Sequence, residues 1–164
     1  VTEKNGKVQH YKLPFGSAEI ISPEMVVSML EKRVFTFFGG GNIVHRETVL
    51  RLNFFHEALK WHADWYMYLL LSLEGPVAVS NMNFSTHPIK NIRYSDSMFD
   101  CRQQWPVSKH FIEITKTNFP AFYNIFKENA VLPIYSFCTM FRIRCSRTTR
   151  DYITVKLIVV GLLF

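Results

Sequence analysis

Residues 34 to 42 read VFTFFGGGN, and this stretch decides the fold that the sequence predicts. Val34 to Phe38 is a run of β-branched and aromatic residues, which favours a buried strand. Gly39, Gly40 and Gly41 follow it directly, and glycine lets a backbone adopt positive φ angles and approach a ligand closely. Open α/β sheets place their binding crevices at such strand ends. A plain tight turn explains the three glycines about as well as a substrate loop does.

Helices are predicted on both sides of this strand. Ser22-Pro23-Glu24 begins one, since serine caps helices, proline suits the first helical position and an acid favours the positive end of the helix dipole. Asp64 to Leu73 is long, apolar and free of β-branched residues, which favours a second helix. Gly75-Pro76 ends it, and Val77 to Val79 follows as a short strand. The order strand, helix, strand, helix, strand and then helices predicts an α/β fold.

Composition and charge are those of one ordinary globular domain. The 164 residues are 48% apolar and 15% aromatic, which suits a packed core better than a groove that stacks on sugars or bases. The net charge of +6 is compatible with a polyanion, a nucleotide diphosphate or an anionic membrane surface. The densest basic patch is Arg142, Arg144, Arg147 and Arg150. A solvated face explains that patch as readily as a ligand does.

The cysteines and the chain ends indicate the cellular compartment in which the protein is expected. The sequence has three cysteines, at positions 101, 138 and 145, which form no CxxC pair and no even disulfide framework. This pattern predicts a reducing, cytoplasmic compartment. A position at the membrane surface is compatible with it. The first residues lack the apolar run of a signal peptide. The apolar residues 152 to 164 are fewer than the roughly 20 that cross a bilayer. Both ends look cut from a longer chain.

The segment Trp61-His62-Ala63-Asp64-Trp65 places a carboxylate at a helix start between two indoles and an imidazole. A core segment rarely needs this mixture, whereas indole faces pack well against sugar rings. Taken alone, Asp64 is better explained as a helix cap than as a general base. His56, His62 and Asp64 match no standard metal-site spacing. His62 is therefore better explained as a group that orients its neighbour.

Two segments resemble the second half of family 2 glycosyltransferases. Gly40 to Leu50 (GGNIVHRETVL) and Leu59 to Tyr66 (LKWHADWY) follow the family's order of a glycine-containing strand end, an arginine-bearing strand, a short helix and a WHxDW-like segment. The resemblance implies the GT-A fold: an α/β, incomplete, Rossmann-related sheet with flanking helices. Residues 1–135 are then the C-terminal part of a glycosyltransferase family 2-like domain, and residues 136–164 a truncated helical extension.

The resemblance implies inverting transfer of a sugar from a nucleotide-sugar donor to a hydroxyl of a saccharide or other acceptor. Asp64 is then the general base. The implied substrate-binding residues are Gly39, Gly40, Gly41, Trp61, His62 and Trp65. Family members hold Mg²⁺ or Mn²⁺ on a DxD motif, which this sequence lacks. The metal site is therefore expected in a longer parent protein, and this fragment alone is expected to be inactive.

A second class of function fits the same composition. A non-catalytic module that binds a carbohydrate or a membrane surface would use the aromatic residues and the C-terminal arginines. A nucleic-acid partner is not expected, because the basic residues are not interleaved with aromatic residues in one stripe. Turnover by the parent protein favours the enzyme, and binding without turnover favours the module.

Overall fold

The computed structural model describes residues 2–4, 7–9, 18–34, 42–53, 55–80, 87–88, 94–132, 134 and 136–162. The chain divides into two compact units. The first unit comprises Val1–Phe55 and Asp64–Arg93, and the second unit comprises His56–Ala63 and Tyr94–Phe164. The domain boundary predicted between residues 135 and 136 falls within the second unit.

In its described residues, the first unit combines short strands with three helices. In chain order its elements are β1 (Thr2–Lys4), β2 (Lys7–Gln9), β3 (Ala18–Ile21), α1 (Pro23–Lys32), α2 (Arg46–Leu52), α3 (Ala63–Glu74), β4 (Val77–Ser80) and β5 (His87–Pro88). All of α3 except its first residue belongs to this unit. β3 lies beside β4, antiparallel, with Ala18 opposite Ser80 and Ile21 opposite Val77.

A second small sheet has the order β2, β1, β5. β1 pairs with β2 in antiparallel fashion, and it pairs with β5 in parallel over two residues, where Thr2 lies opposite His87 and Glu3 opposite Pro88. These strands are three residues long or shorter. They provide little surface on which helices pack.

The predicted fold class, an incomplete GT-A-like α/β sheet, is wrong. Helices account for most of the described residues, and the two-residue contact of β1 with β5 is the one parallel pairing among them. A Rossmann-related sheet needs several adjacent parallel strands joined by crossover helices. The prediction failed because short apolar runs do not reveal whether they join a large parallel sheet or a two-stranded ribbon. Of the strand predicted over Val34 to Phe38, Val34 follows α1 outside any strand, and the rest lies outside the described residues.

The helix α1 confirms its predicted local signals. The Ser22 Oγ accepts the backbone N–H of Met25 at 3.4 Å, and Pro23 is the first helical residue. Arg33 ends the helix in the left-handed conformation, with φ 58°, and donates its backbone N–H to the carbonyl of Leu30. The helix thus begins where its sequence predicts, and a left-handed residue ends it.

The second unit is helical in its described part. Its elements are the 3-10 helices Glu57–His62, Tyr94–Phe99 and Arg150–Tyr152, and the α-helices α4 (Cys101–Asn118), α5 (Pro120–Glu128), α6 (Phe137–Cys145) and α7 (Val155–Leu162). The long helix α4 contacts α5, α6 and the first two 3-10 helices. It is therefore the element on which this unit is built.

Aromatic residues fill the core of the second unit. Phe111 of α4 and Phe126 of α5 are fully buried and stack with their ring centroids 5.8 Å apart. Tyr152 is also fully buried; its hydroxyl donates to the carbonyl of Phe126 at 3.1 Å and accepts the N–H of Leu132 at 3.4 Å. The phenol thereby satisfies its polar group and joins the chain after α6 to α5.

A disulfide joins Cys101, the first residue of α4, to Cys138 near the start of α6, with their Cα atoms 6.0 Å apart. The prediction that the cysteines form no disulfide framework is wrong, because the odd number of cysteines concealed one pair. Cys145 is free and exposed. Disulfides persist mainly in oxidising surroundings. The cysteines therefore no longer argue for a reducing, cytoplasmic compartment.

Candidate functional site

The predicted substrate-binding residues do not form one described site. Gly39, Gly40 and Gly41 lie outside the described residues. The division between the two units runs through the tryptophan-rich segment: Trp61 and His62 end a 3-10 helix of the second unit, and Asp64 and Trp65 begin α3 of the first unit. Each half is therefore described by itself.

Asp64 lies in the first turn of α3 and is half-buried. Its Oδ1 accepts the backbone N–H of Trp65 at 2.7 Å. An N-cap side chain bonds two or three residues ahead, so this bond to the next residue is not a cap. The negative charge nevertheless lies at the positive end of the helix dipole, which stabilises the helix start. A structural role accounts for this geometry, and the role of general base stays a prediction.

His62 is a buried histidine with 6% of its surface exposed. Burial lowers the pKa of His62 to about 4, so the imidazole is neutral at physiological pH. Its ring packs edge-on against Trp61, with centroids 6.0 Å apart, and the Lys60 Nζ lies 5.8 Å from the centroid of the Trp61 ring. These contacts join consecutive residues of one 3-10 helix. That His62 orients Asp64 stays a prediction.

His56 faces His110 of α4, with ring centroids 6.3 Å apart. Burial, and then the neighbouring charge of a protonated His110, lower the pKa of His56. Within the described part of the chain, no three histidine, cysteine or acidic side chains come close enough together to hold a metal ion. The partly buried position of His56 beside His110 therefore disfavours protonation of His56.

A polar cluster ties three helices of the second unit together. The Asp151 Oδ2 accepts hydrogen bonds from the Lys116 Nζ at 2.8 Å and from the Tyr123 hydroxyl at 3.0 Å. Burial opposes ionisation of Asp151, but these bonds prevail and lower its pKa. Burial also raises the pKa of Tyr123, so the phenol is a donor and not a base. The cluster connects α4, α5 and the 3-10 helix Arg150–Tyr152.

One face of α6 is exposed and apolar. Phe137 and Phe141 lie one helical turn apart and expose 68% and 69% of their surface. Arg144 follows on the same face at the next helical spacing. On the other side of the helix, Thr139 and Ile143 are fully buried. Phe137 and Phe141 are not among the residues predicted from the sequence, although their spacing of four residues beside arginines is a visible signal.

The four arginines of the predicted basic patch lie on and just after this helix. Arg142 and Arg144 belong to α6, Arg147 lies in the following turn and Arg150 begins a 3-10 helix; all four are exposed. No acidic residue occurs between residues 137 and 150. We call the set of these side chains the Phe–Arg surface; its members are Phe137, Phe141, Arg142, Arg144, Arg147 and Arg150.

Hydrogen bonds at both ends hold α6 in place. The Ser136 Oγ accepts the N–H of Thr139 at 3.2 Å and lies 3.3 Å from the Gln104 Oε1 of α4. After the helix, the buried Thr149 Oγ1 donates to the carbonyl of Ile143 at 3.0 Å. The two phenylalanines are therefore exposed on an anchored helix. Adjacent exposed phenyl rings are typical of interaction sites.

The last helix, α7, exposes a second apolar stripe. Val155, Ile158 and Val159 follow helical spacing and expose 78%, 40% and 50% of their surface. The helix is attached to the second unit through the buried Leu157 and through Lys156, whose Nζ donates to the Asn129 Oδ1 at 3.0 Å. No helix in the described ranges is long and apolar enough to cross a membrane.

Comparison of the chain with protein-family models, with curated proteins and with solved structures finds no match. The resemblance to family 2 glycosyltransferases therefore stays a prediction, whereas the GT-A fold that it implied is wrong. The surfaces of the described residues are the remaining basis for a functional argument. Among them, the Phe–Arg surface has the most distinctive chemistry.

Proposed function

We propose that this chain is a non-catalytic module that binds the surface of an anionic membrane through its Phe–Arg surface. One observation carries the proposal. Two phenylalanines, Phe137 and Phe141, project side by side from an anchored helix into solvent, and four exposed arginines follow them without an intervening acid. This mixture of apolar and basic side chains is typical of interfacial membrane contacts.

The two kinds of side chain have complementary roles. Arginines near an anionic leaflet each contribute about 1 kcal/mol of attraction. Their guanidinium groups also bind phosphate oxygens in bidentate fashion. Phenyl rings add affinity when they leave water for the boundary between headgroups and acyl chains. The net charge of +6 adds long-range attraction to the same surface.

A single-stranded nucleic acid is the nearest competing partner. Aromatic rings stack on bases and arginines bind phosphates. On α6 the two phenylalanines precede the arginines and do not alternate with them, which is not the interleaved stripe expected of a nucleic-acid binder. The exposed stripe of α7 favours the membrane, because Val155, Ile158 and Val159 are aliphatic. Aliphatic side chains enter an acyl layer but do not stack on bases.

The glycosyltransferase hypothesis is now supported only by the residues that suggested it. It requires a nucleotide-sugar donor, a divalent metal ion and Asp64 as the base, in a longer protein. Its test is sugar transfer by that parent protein with Asp64→Asn, where a normal rate would contradict the assigned base. The proposed membrane contact agrees with the predicted place at a membrane surface, and it does not depend on a cytoplasmic location.

Flotation with lipid vesicles tests the proposed contact. We expect the chain to bind vesicles of equimolar phosphatidylserine and phosphatidylcholine much more strongly than vesicles of phosphatidylcholine alone. Each Arg→Gln change within the Phe–Arg surface should weaken binding about fivefold, since about 1 kcal/mol is lost. Phe137→Ser combined with Phe141→Ser should weaken it by at least about tenfold, because the apolar insertion is lost.

Matched controls come from the first unit. Phe55→Ser removes a phenyl ring that is 55% exposed, and Arg51→Gln removes an exposed guanidinium of α2. Both variants should bind like the wild type. Equal losses in control and test variants would refute the assigned surface. Binding to a single-stranded oligonucleotide but not to anionic vesicles would replace the membrane with a nucleic acid as the partner.

A further inference from the structure

We infer that the disulfide between Cys101 and Cys138 gates the Phe–Arg surface, so that strong membrane binding requires the oxidised bond. The inference rests on the proposed membrane binding. Cys138 directly follows Phe137 and precedes Phe141 by three residues, so the bond holds the apolar half of the surface. The bond attaches this half to Cys101 at the start of α4, the longest helix of the unit.

The beginning of α6 is held by the disulfide, by the hydrogen bonds of the Ser136 hydroxyl and by packing against α4. The helix has nine residues and two fully buried side chains, Thr139 and Ile143. Isolated helices of this length are marginal in water. The described bonds at its beginning are those around the Ser136 hydroxyl. Its other end has the additional bond from Thr149 to Ile143. Loss of the disulfide therefore acts first on the end that carries the phenylalanines.

The chemistry of the gate is thiol–disulfide exchange with a dithiol reductant. Cys138 is exposed and Cys101 is half-buried, so an incoming thiolate has access to the Cys138 sulfur. The new sulfur–sulfur bond forms as the bond to Cys101 breaks, and Cys101 leaves as a thiolate that takes up a proton. The second thiol of the reductant then displaces Cys138. The protein gains two electrons and two protons, and the dithiol becomes a disulfide.

Reduction should weaken membrane binding because the beginning of α6 becomes less ordered, while the charge of the surface stays the same. When the beginning of α6 is disordered, its two phenylalanines must become ordered again on binding, which costs conformational entropy. The four arginines keep their charge. The reduced protein should therefore retain a weak binding that depends steeply on salt, as expected for electrostatic attraction alone.

The test compares the two redox states of the full chain on vesicles of equimolar phosphatidylserine and phosphatidylcholine. Cys145→Ser is the background, because it removes the exposed free thiol from the reactions. One sample stays oxidised, and the other is reduced with dithiothreitol and alkylated with iodoacetamide. Cys101→Ser combined with Cys138→Ser provides a form without alkyl groups. We expect both disulfide-free forms to bind at least about tenfold more weakly than the oxidised form.

Hydrogen exchange of the same samples locates the effect. Amides of residues 139–141 should lose protection on reduction, while amides of α4 and α5 keep it. Equal vesicle binding by both redox states would overturn the gate but leave the proposed membrane contact intact. No binding by the oxidised protein would overturn both. Unchanged protection of α6, or unfolding of the whole unit on reduction, would also overturn a local gate.

Discussion

The pH dependence of stability follows from the burial of His62. The pKa of its imidazole falls from 6.5 to about 4 in the folded protein because burial disfavours the charged form. Above pH 6.5 the imidazole is neutral in both the folded and the unfolded states, so it adds no pH dependence. Between pH 6.5 and about 4 the unfolded chain binds a proton that the native protein does not. The free energy of unfolding therefore falls as the pH falls through this range.

The size of this loss follows from the shift. A change from 6.5 to about 4 spans roughly 2.5 pKa units, and each unit corresponds to about 1.4 kcal/mol. Integrating between about pH 7.5 and about pH 4.5 gives a loss of roughly 2.5 kcal/mol from this single group. With 6% of its surface exposed, His62 is screened little by solvent, so this figure applies without a large discount.

Urea unfolding at several pH values measures the effect, with His62→Gln as the comparison. Carboxylates and other histidines titrate in both proteins, so the difference between the two pH profiles isolates the contribution of His62. The wild type should lose about 2.5 kcal/mol more than the variant over this range. Coincident profiles, or an imidazole titration by NMR with a midpoint near 6.5, would refute the assigned burial.

Two further predictions concern buried and capping hydroxyls. Tyr152→Phe should lower the free energy of unfolding by about 1–3 kcal/mol, because the carbonyl of Phe126 and the N–H of Leu132 lose their partner; an unchanged urea midpoint would contradict this. Ser136→Ala should cost about 1 kcal/mol by removing the cap of α6, and its hydrogen exchange should rise first near Thr139. Uniform exchange along α6 would argue against that cap.

Several elements follow from local sequence alone. Ser22-Pro23-Glu24 predicts the start of α1, and the apolar run from Asp64 with Gly75-Pro76 behind it predicts α3. The short strand Val77 to Val79 is confirmed within β4. These signals act within one helical turn or one strand, so they need no knowledge of distant residues.

The start of α4 depends on more than its local sequence. Because proline suits the first turn of a helix, Trp105-Pro106 predicts a helix over roughly residues 107 to 117, whereas α4 begins at Cys101 and includes Pro106. Asp100 caps it by accepting the N–H of Arg102 at 2.9 Å. The packing of α4 against its neighbours and the disulfide at Cys101 compensate for the hydrogen bond that proline removes.

The sequence by itself determined the beginning of α1, the position of α3 and the positive charge of the region after residue 136. The pairing of β3 with β4, the bond between Cys101 and Cys138 and the outward direction of Phe137 were decided by the tertiary structure alone. Each depends on residues that are distant along the chain and meet only through packing. A local pattern shows which side chains share a helix face, but the partner that covers the opposite face decides which side remains in solvent.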